Sequence, residues 1–191
     1  MRSLLRVGAA LLLAAMIAVP LAAQEAAKKQ EPPKPAPGPA QDAIDQWNYI
    51  GHKLIEMAED FPEDKYDFKP TPEVRSFAEA MLHVAGTNLE FIAAAKGEKS
   101  SGGEDLPRAQ YKTKADVVNV LKKSFADGEA IMKQKGDKGI MGTIKNPYAN
   151  QMTTLYSLAL GFAEHSGEHY GQLVVYYRIS GMVPPDSRPK K

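Results

Sequence analysis

The chain has 191 residues, which is enough for one ordinary domain with a substantial core. Its 43% hydrophobic content is that of a folded protein, and its formal net charge of +1 argues against a nucleic-acid partner, which requires a basic face. No cysteine is present, so disulfides, thiolate metal sites, a cysteine nucleophile and a lipid-modified N-terminal cysteine are all excluded.

The first 23 residues have the pattern of an export signal. Arg2 and Arg6 form the positive start, residues 7–21 form an uncharged apolar run, and Ala23 ends a typical cleavage site. The apolar run is shorter than the roughly 20 residues that span a bilayer, although an uncleaved anchor is the alternative. We therefore expect residues 1–23 to be a signal peptide, and the mature protein to be secreted or periplasmic with no membrane span after cleavage.

A proline-rich segment follows over residues 24–40, with five of the 14 prolines and no large apolar side chain. This composition is typical of a solvated, semi-extended linker, and no chemistry is assigned to it. The folded domain is predicted over residues 41–185 and a polar tail over residues 186–191.

The first predicted helix runs from Gln41 to Asp60, and Pro62 stops it. Apolar residues recur along one face at steps of three and four, namely Trp47, Ile50, Leu54, Met57 and Phe61. His52 lies off this stripe and is interpreted as a surface residue. The aromatic residues and prolines over residues 66–72 predict an extended crossing, because a residue before proline avoids the helical region.

The second predicted helix runs from Val74 to Lys96. Its main face carries Phe77, Met81, Ala85, Asn88 and Ile92. His83 lies on a neighbouring stripe of small residues, a pattern that fits either a ligand or close helix packing. Residues 97–110 are polar and glycine-rich, and they exceed the usual connection of about two to eight residues between adjacent helices. Their length favours a crossover along a bundle.

The third predicted helix begins at Thr113, which has the spacing of a capping box with Asp116. A glycine-rich loop is predicted over residues 136–147, before the last helix. No segment has a convincing strand pattern. Four helical segments therefore predict an all-α fold, a four-helix bundle.

The last predicted helix lies within residues 149–180 and ends at Gly181. Steps of three and four define its apolar seam, which consists of Leu155, Leu158, Phe162, His165, His169, Gln172, Tyr176 and Ile179. His165 and His169 thus lie one turn apart where a core helix normally has leucine. Two imidazoles at this spacing can bind one metal ion and leave further coordination positions facing the bundle.

Core packing is the alternative for these histidines, because a single histidine on an apolar face is more often a hydrogen-bonded core residue. A pair is harder to explain in this way. Each neutral ring brings one donor and one acceptor, and an unpaired group in a dry core costs about 1–3 kcal/mol. A metal ion satisfies one nitrogen on each ring, so the pair alone leaves both interpretations open.

Two motifs carry a resemblance to a known family. The last helix contains His165-x-x-x-His169-x-Gly171-Gln172-Leu173, then Tyr177-Arg178, Gly181 and Pro184-Pro185, and the second contains Val74-Arg75-Ser76-Phe77 and then His83-Val84-Ala85. Both closely resemble the DinB-like family of small metal-binding bundles, over about Asp42 to Pro185. The resemblance implies an up-down-down-up four-helix bundle with a long crossover between helices 2 and 3.

The resemblance also implies a metal site of three histidines, which correspond to His83, His165 and His169. Three neutral nitrogens leave open positions for water, as in catalytic sites. The expected cofactor is a divalent ion, zinc or nickel ahead of iron or manganese, because three imidazoles discriminate weakly. None of the neighbouring polar residues is assigned as catalytic. Those that are candidates for supporting the ligands or handling protons are Glu164, Glu168, Tyr170 and Gln172.

Relatives of this kind include hydrolases and thiol-dependent transferases or isomerases. We expect metal-dependent hydrolysis of a small molecule, because an exported protein meets little low-molecular-weight thiol. A non-catalytic metal-binding or interaction module is the alternative, since the sequence places no carboxylate beside the site and a fold does not establish a reaction. The substrate, the native metal, and the choice between a monomer and a homodimer stay open.

Overall fold

The computed structural model describes residues 34–99 and 104–189. The described residues from Pro37 onward form one compact unit. The predicted signal peptide and most of the predicted linker lie outside the described residues. Within the described ranges, no helix combines the length and hydropathy that a bilayer crossing requires.

Four α-helices make up most of the described part of this unit, and a small hairpin joins the last two. The helices are α1 (Pro39–Asp60), α2 (Phe77–Lys96), α3 (Lys114–Ile140) and α4 (Leu155–Ile179). The hairpin pairs β1 (Thr143–Lys145) with β2 (Met152–Thr154) in antiparallel register, with Thr143 opposite Thr154. The predicted four-helix bundle is therefore confirmed.

Aromatic contacts fix the helix directions at one end of the bundle. Phe61, which follows α1, stacks on Phe77 at the start of α2 with ring centroids 3.9 Å apart. Phe61 also packs on Tyr177 near the end of α4, at 4.9 Å between centroids. The ammonium of Lys114, the first residue of α3, donates to the carbonyl of Phe61. The ends of α1 and α4 and the starts of α2 and α3 therefore meet here.

The opposite end of the bundle agrees with these directions. The backbone N–H of Ala40 in α1 donates to the carboxylate of Asp137 near the end of α3, at 3.0 Å. The hydroxyl of Tyr156 at the start of α4 donates to the carboxylate of Asp42, at 2.7 Å. Helices α1 and α4 thus run one way and α2 and α3 the other, which confirms the predicted up-down-down-up order.

The connection between α2 and α3, residues 97–113, returns the chain from one end of the bundle to the other. Gly97 ends α2 in the left-handed conformation (φ 73°), as glycine commonly does after a helix. In its described part, the crossover passes directly over Gly86, where an added Cβ would collide with the carbonyl of Glu104. Arg108 of the crossover pairs with Asp67 at 2.8 Å. The long crossover predicted between helices 2 and 3 is confirmed.

The bundle core is built around Trp47, which is fully buried. Its indole N–H donates to the carbonyl of Phe125 at 2.9 Å, so its one polar atom is satisfied. The rings of Phe91 and Phe125 pack on it at 5.1 and 5.4 Å between centroids. Gly128 of α3 leaves the space that the indole fills. The periodicity of the predicted first helix correctly identified this core face.

Three boundaries differ from the sequence-based predictions. Helix α1 begins at Pro39, two residues before Gln41. Helix α2 begins at Phe77 and not at Val74, because Ser76 and Glu79 form a capping box at its start. Helix α3 begins as predicted with the Thr113 cap, but helical structure continues past a break at Gly136 (φ 58°) into the predicted loop.

The expectation that no strand is present was wrong. Strands of three residues are too short to produce a recognisable alternation of apolar and polar residues. The predicted seam of α4 was also wrong at its end: Gln172 is exposed and Ile179 is 58% exposed, while Leu173 and Tyr177 are buried. A straight helix drifts about 20° per heptad from a strict seven-residue repeat, so the buried stripe moves to the next residue.

Gly86→Ala tests the close crossover contact. We expect a loss of about 1–3 kcal/mol in the free energy of unfolding, because the new methyl group collides with the backbone of Glu104. Gly171→Ala in α4 is the matched control, since its Cβ would meet nothing within 4 Å and helix propensity then favours alanine. Denaturant unfolding measures both. Equal stability gains in both variants would contradict the contact.

Candidate metal centre

The histidine from α2 and the two from α4 converge in the bundle. The Nε2 atoms of His83 and His165 are 3.3 Å apart, and those of His169 and His165 are 3.1 Å apart. One ring nitrogen from each of the three residues lies within 4.8 Å of the others. The structure thus brings together all three residues that the sequence and the resemblance indicated, His83 included.

These separations fit a bound metal ion. Nitrogen ligands at about 2.0–2.1 Å from a tetrahedral ion lie about 3.3 Å from one another. The two observed nitrogen separations are close to that value. The rings also meet at steep angles, between 62° and 80°, so they do not stack on one another.

A carboxylate holds the ring of His83. The Nδ1 of His83 donates to Asp105 of the crossover at 2.9 Å, and Arg75 donates to the same carboxylate at 3.0 Å. The hydrogen bond from Arg75 and the positive charge of its guanidinium keep the pKa of Asp105 below its usual range. Asp105 is therefore ionised and acts as a hydrogen-bond acceptor. The hydrogen of His83 is therefore on Nδ1, and its Nε2 presents a lone pair.

A side-chain amide holds the ring of His169 in the same way. Its Nδ1 donates to the Oε1 of Gln172 at 3.1 Å, so the Nε2 of His169 also presents a lone pair. The Nε2 of His165 lies beside both of these lone pairs and can donate to one of them at most. Its buried Nδ1 has no hydrogen-bond partner among the described residues. Without an ion, at least one of the two lone pairs therefore stays unsatisfied, whereas a cation would be bound by the Nε2 lone pairs of all three rings.

Burial keeps two of the rings neutral. Desolvation lowers the pKa of His169 to about 4, with further contributions from His165 and His83. Desolvation also lowers the pKa of His83, together with the charge of Arg75 and against the opposing effect of Asp105. Neutral imidazole is the form that binds metals, so these two rings are ready to bind an ion near neutral pH.

The other candidate residues differ in their positions. Gln172 contacts a ring of the site, as described, although the pattern had placed it in the core. Glu164 and Glu168 are exposed, and the ring of Tyr170 lies 5.1 Å from the ammonium of Lys53. His52 is on the surface, as predicted, and its Nε2 lies 3.1 Å from Glu56, its side chain being 73% exposed.

A cavity of about 420 Å³ adjoins the site, and His165 is part of its wall. The wall also contains apolar residues of α4, Tyr148 and Glu104. A hydrogen bond joins the Tyr148 hydroxyl to the Glu104 carboxylate, and desolvation followed by this negative charge raises the pKa of Tyr148. A volume of this size suits a small molecule.

Sequence reasoning missed Asp105 and Glu104. Both lie in the polar crossover, where acidic residues are usually solvated, and no periodicity locates a residue in an irregular segment. The one available signal was the unusual length of that segment, which indicated that it travels along the bundle. Because the crossover runs beside α2, its acidic residues Glu104 and Asp105 lie next to Gly86 and His83.

Comparisons with known proteins agree with this fold. The family model described as the DinB superfamily matches residues 46–173. A DinB-like protein from Bacillus cereus ATCC 10987 has a similar structure, with 14% identity, a TM-score of 0.62, and coverage of 76% of this chain and 95% of that chain. A search of curated proteins finds no match.

Two structures from Bacillus subtilis are also similar. The DinB-like protein YjoA has 21% identity and a TM-score of 0.60, covering 74% of this chain and 93% of its own. YfiT has 14% identity and a TM-score of 0.60, covering 80% and 94%, and is described as "a probable metal-dependent hydrolase with an unusual four-helix bundle topology". At these identities the similarity establishes the fold.

Removal of the carboxylate behind His83 tests how the site is held. Residues that orient a ligand contribute about 10–100-fold to metal affinity, so we expect a loss of that size for Asp105→Ala. Asp67→Ala is the matched control, because Asp67 pairs with an arginine of the crossover and contacts no histidine. Competition with a chelator measures both affinities. A loss of equal size in both variants would show that the crossover, and not the carboxylate, is responsible.

Proposed function

This chain belongs to the DinB superfamily, and we propose that it is a metal-dependent hydrolase of a small molecule, with a divalent ion held by His83, His165 and His169. The observation that carries the proposal is the convergence of three imidazole nitrogens beside a cavity of molecular size. The description of YfiT as a probable metal-dependent hydrolase gives further support.

The three histidines supply a ligand set that matches catalytic sites, which hold the ion with three protein ligands and keep a position open. When bound, the ion would polarise a carbonyl group and activate water for hydrolysis. Asp105 and Gln172 fix the orientation of two rings and so preorganise the ligand set. Zinc and nickel are the proposed ions, ahead of iron and manganese.

Glu104, in the same cavity wall as His165, is placed to accept a proton. The hydroxyl of Tyr148 hydrogen-bonds the Glu104 carboxylate, and the raised pKa of Tyr148 keeps that hydroxyl protonated, so Tyr148 orients the carboxylate. Glu104 provides the carboxylate that the sequence alone did not place beside the site, and this favours the hydrolase over the non-catalytic module.

The proposal is tested with a panel of ester, amide and thiol-transfer substrates. We expect hydrolysis of esters or amides by the metal-loaded protein, and loss of both the metal and turnover in His165→Ala. His52→Ala is the control and keeps both, because His52 is exposed and is not part of the histidine cluster. Elemental analysis and steady-state rates are the measurements. Metal retained with no turnover on any ester or amide would favour a non-catalytic metal-binding module, and turnover on thiols alone a transferase.

We propose that the protein is exported, as the positive start and apolar run of residues 1–23 favour. Expression of the full chain in a bacterium and mass spectrometry of the periplasmic fraction test this. The expected mature N-terminus is Gln24. Arg2→Glu with Arg6→Glu should slow export, because the positive end of the signal is reversed. A full-length chain confined to the cytoplasm would contradict the proposal.

A further inference from the structure

The cavity beside the histidine cluster extends along α4. Its wall includes His165, then Gly161 and Phe162 one turn earlier, then Leu158 and Ser157 after a second turn. These spacings place the residues on one face of the helix. A rise of 1.5 Å per residue gives a length of about 10 Å from His165 to Leu158. A group bound in this cavity would therefore reach about two helical turns from the cluster.

In the described part of the chain, the cavity wall combines apolar side chains with uncharged polar ones and a single acidic residue. Leu158 and Phe162 provide apolar surface, and the Tyr148 ring packs on Phe162 at 5.8 Å between centroids. The uncharged polar groups come from residues such as Thr87 and Asn146. Among the described residues of the wall, Glu104 carries the only carboxylate. The part of the cavity along Leu158, Phe162 and Tyr148 thus suits an apolar group without negative charge.

Gly161 is the wall residue of α4 that has no side chain. A Cβ added there would meet nothing within 4 Å, so the space beside the residue is open. Glycine inside a helix is less stable than alanine by about 1 kcal/mol, so helix formation does not account for its presence. A larger side chain at residue 161 would project into space that the cavity now holds open.

Resting on the proposed hydrolase function, we propose that this cavity binds the apolar part of an uncharged ester or amide substrate, and that Gly161 keeps it open. The reacting carbonyl would lie at the His165 end, beside the histidine cluster. The alkyl or aryl group would lie along Phe162 and Leu158. The Glu104 carboxylate would disfavour substrates that carry a further negative charge within the cavity.

Binding of hydroxamates to the zinc-loaded protein tests the proposal without requiring turnover. The hydroxamate group binds the metal, and acetohydroxamate, butanohydroxamate and hexanohydroxamate place longer alkyl chains into the cavity. Each buried methylene should tighten binding by about three- to fourfold, so hexanohydroxamate should bind on the order of 100-fold more tightly than acetohydroxamate. Isothermal titration calorimetry measures the affinities. Equal affinities across the series would overturn the proposal.

Gly161→Leu and Gly171→Leu form a matched pair for the role of Gly161. Both residues lie in α4 with open space at the Cβ, but Gly171 is not in the cavity wall. We expect Gly161→Leu to bind hexanohydroxamate at least about tenfold more weakly, since leucine fills the space of about three methylenes. Acetohydroxamate affinity and zinc content should not change, and Gly171→Leu should match wild type. If Gly161→Leu binds hexanohydroxamate as tightly as the wild-type protein does, the proposal that Gly161 keeps the cavity open is overturned.

The charge preference is tested with a hydroxamate of the hexanoyl length that ends in a carboxylate. It should bind about tenfold or more weakly than hexanohydroxamate, and Glu104→Gln should reduce this difference, because a like charge is removed. Equal binding of the two ligands to wild type would contradict the preference for uncharged groups.

These outcomes separate the cavity from the hydrolase proposal. Chain-length dependence with no turnover would leave the cavity assignment standing as a binding site and reject the hydrolase function. Ester or amide turnover with no dependence of hydroxamate binding on chain length would support the hydrolase function and reject the cavity assignment. A protein that binds no divalent ion would reject both.

Discussion

The structure depends on three imidazole nitrogens that face one another inside a helical bundle. Asp105 and Gln172 accept hydrogen bonds from the Nδ1 atoms of His83 and His169. The Nε2 lone pairs of these two rings therefore point inward, beside His165. In a low-dielectric interior such lone pairs repel each other, and a neutral ring can satisfy one of them at most. A divalent cation removes this conflict. The ligand geometry, the depressed histidine pKa values and the orientation of the supporting residues are consistent with a site built for that ion.

The order of the helices is what makes this arrangement possible. In an up-down-down-up bundle the chain must return along the full length of the molecule between α2 and α3. The returning segment passes over Gly86 and brings Asp105 to the outer side of His83. A short hairpin between the same helices would supply no residue at that level. The long crossover is thus part of the metal centre as well as part of the topology.

The residues that lie on regular helices were the ones that the sequence could predict. A seam of apolar residues located His165 and His169 one turn apart, whereas His83 lay off its helix centre line and was assigned only through the family resemblance. Asp105 and Glu104 are in an irregular segment, where no periodicity relates sequence to position. Gln172 was assigned to the core because a strict heptad ignores the drift of a straight helix, and it contacts His169 from the exposed side instead. The hairpin was missed because its strands have three residues each.

X-ray absorption spectroscopy at the edge of the bound metal, on protein purified without added metal, tests the central claim most directly. Three histidine ligands predict a first shell with three imidazole nitrogens at about 2.0–2.1 Å, and at least one further light ligand that is not histidine. A shell with fewer than three imidazoles, or a protein that retains no divalent ion, would contradict the claim that His83, His165 and His169 share one metal.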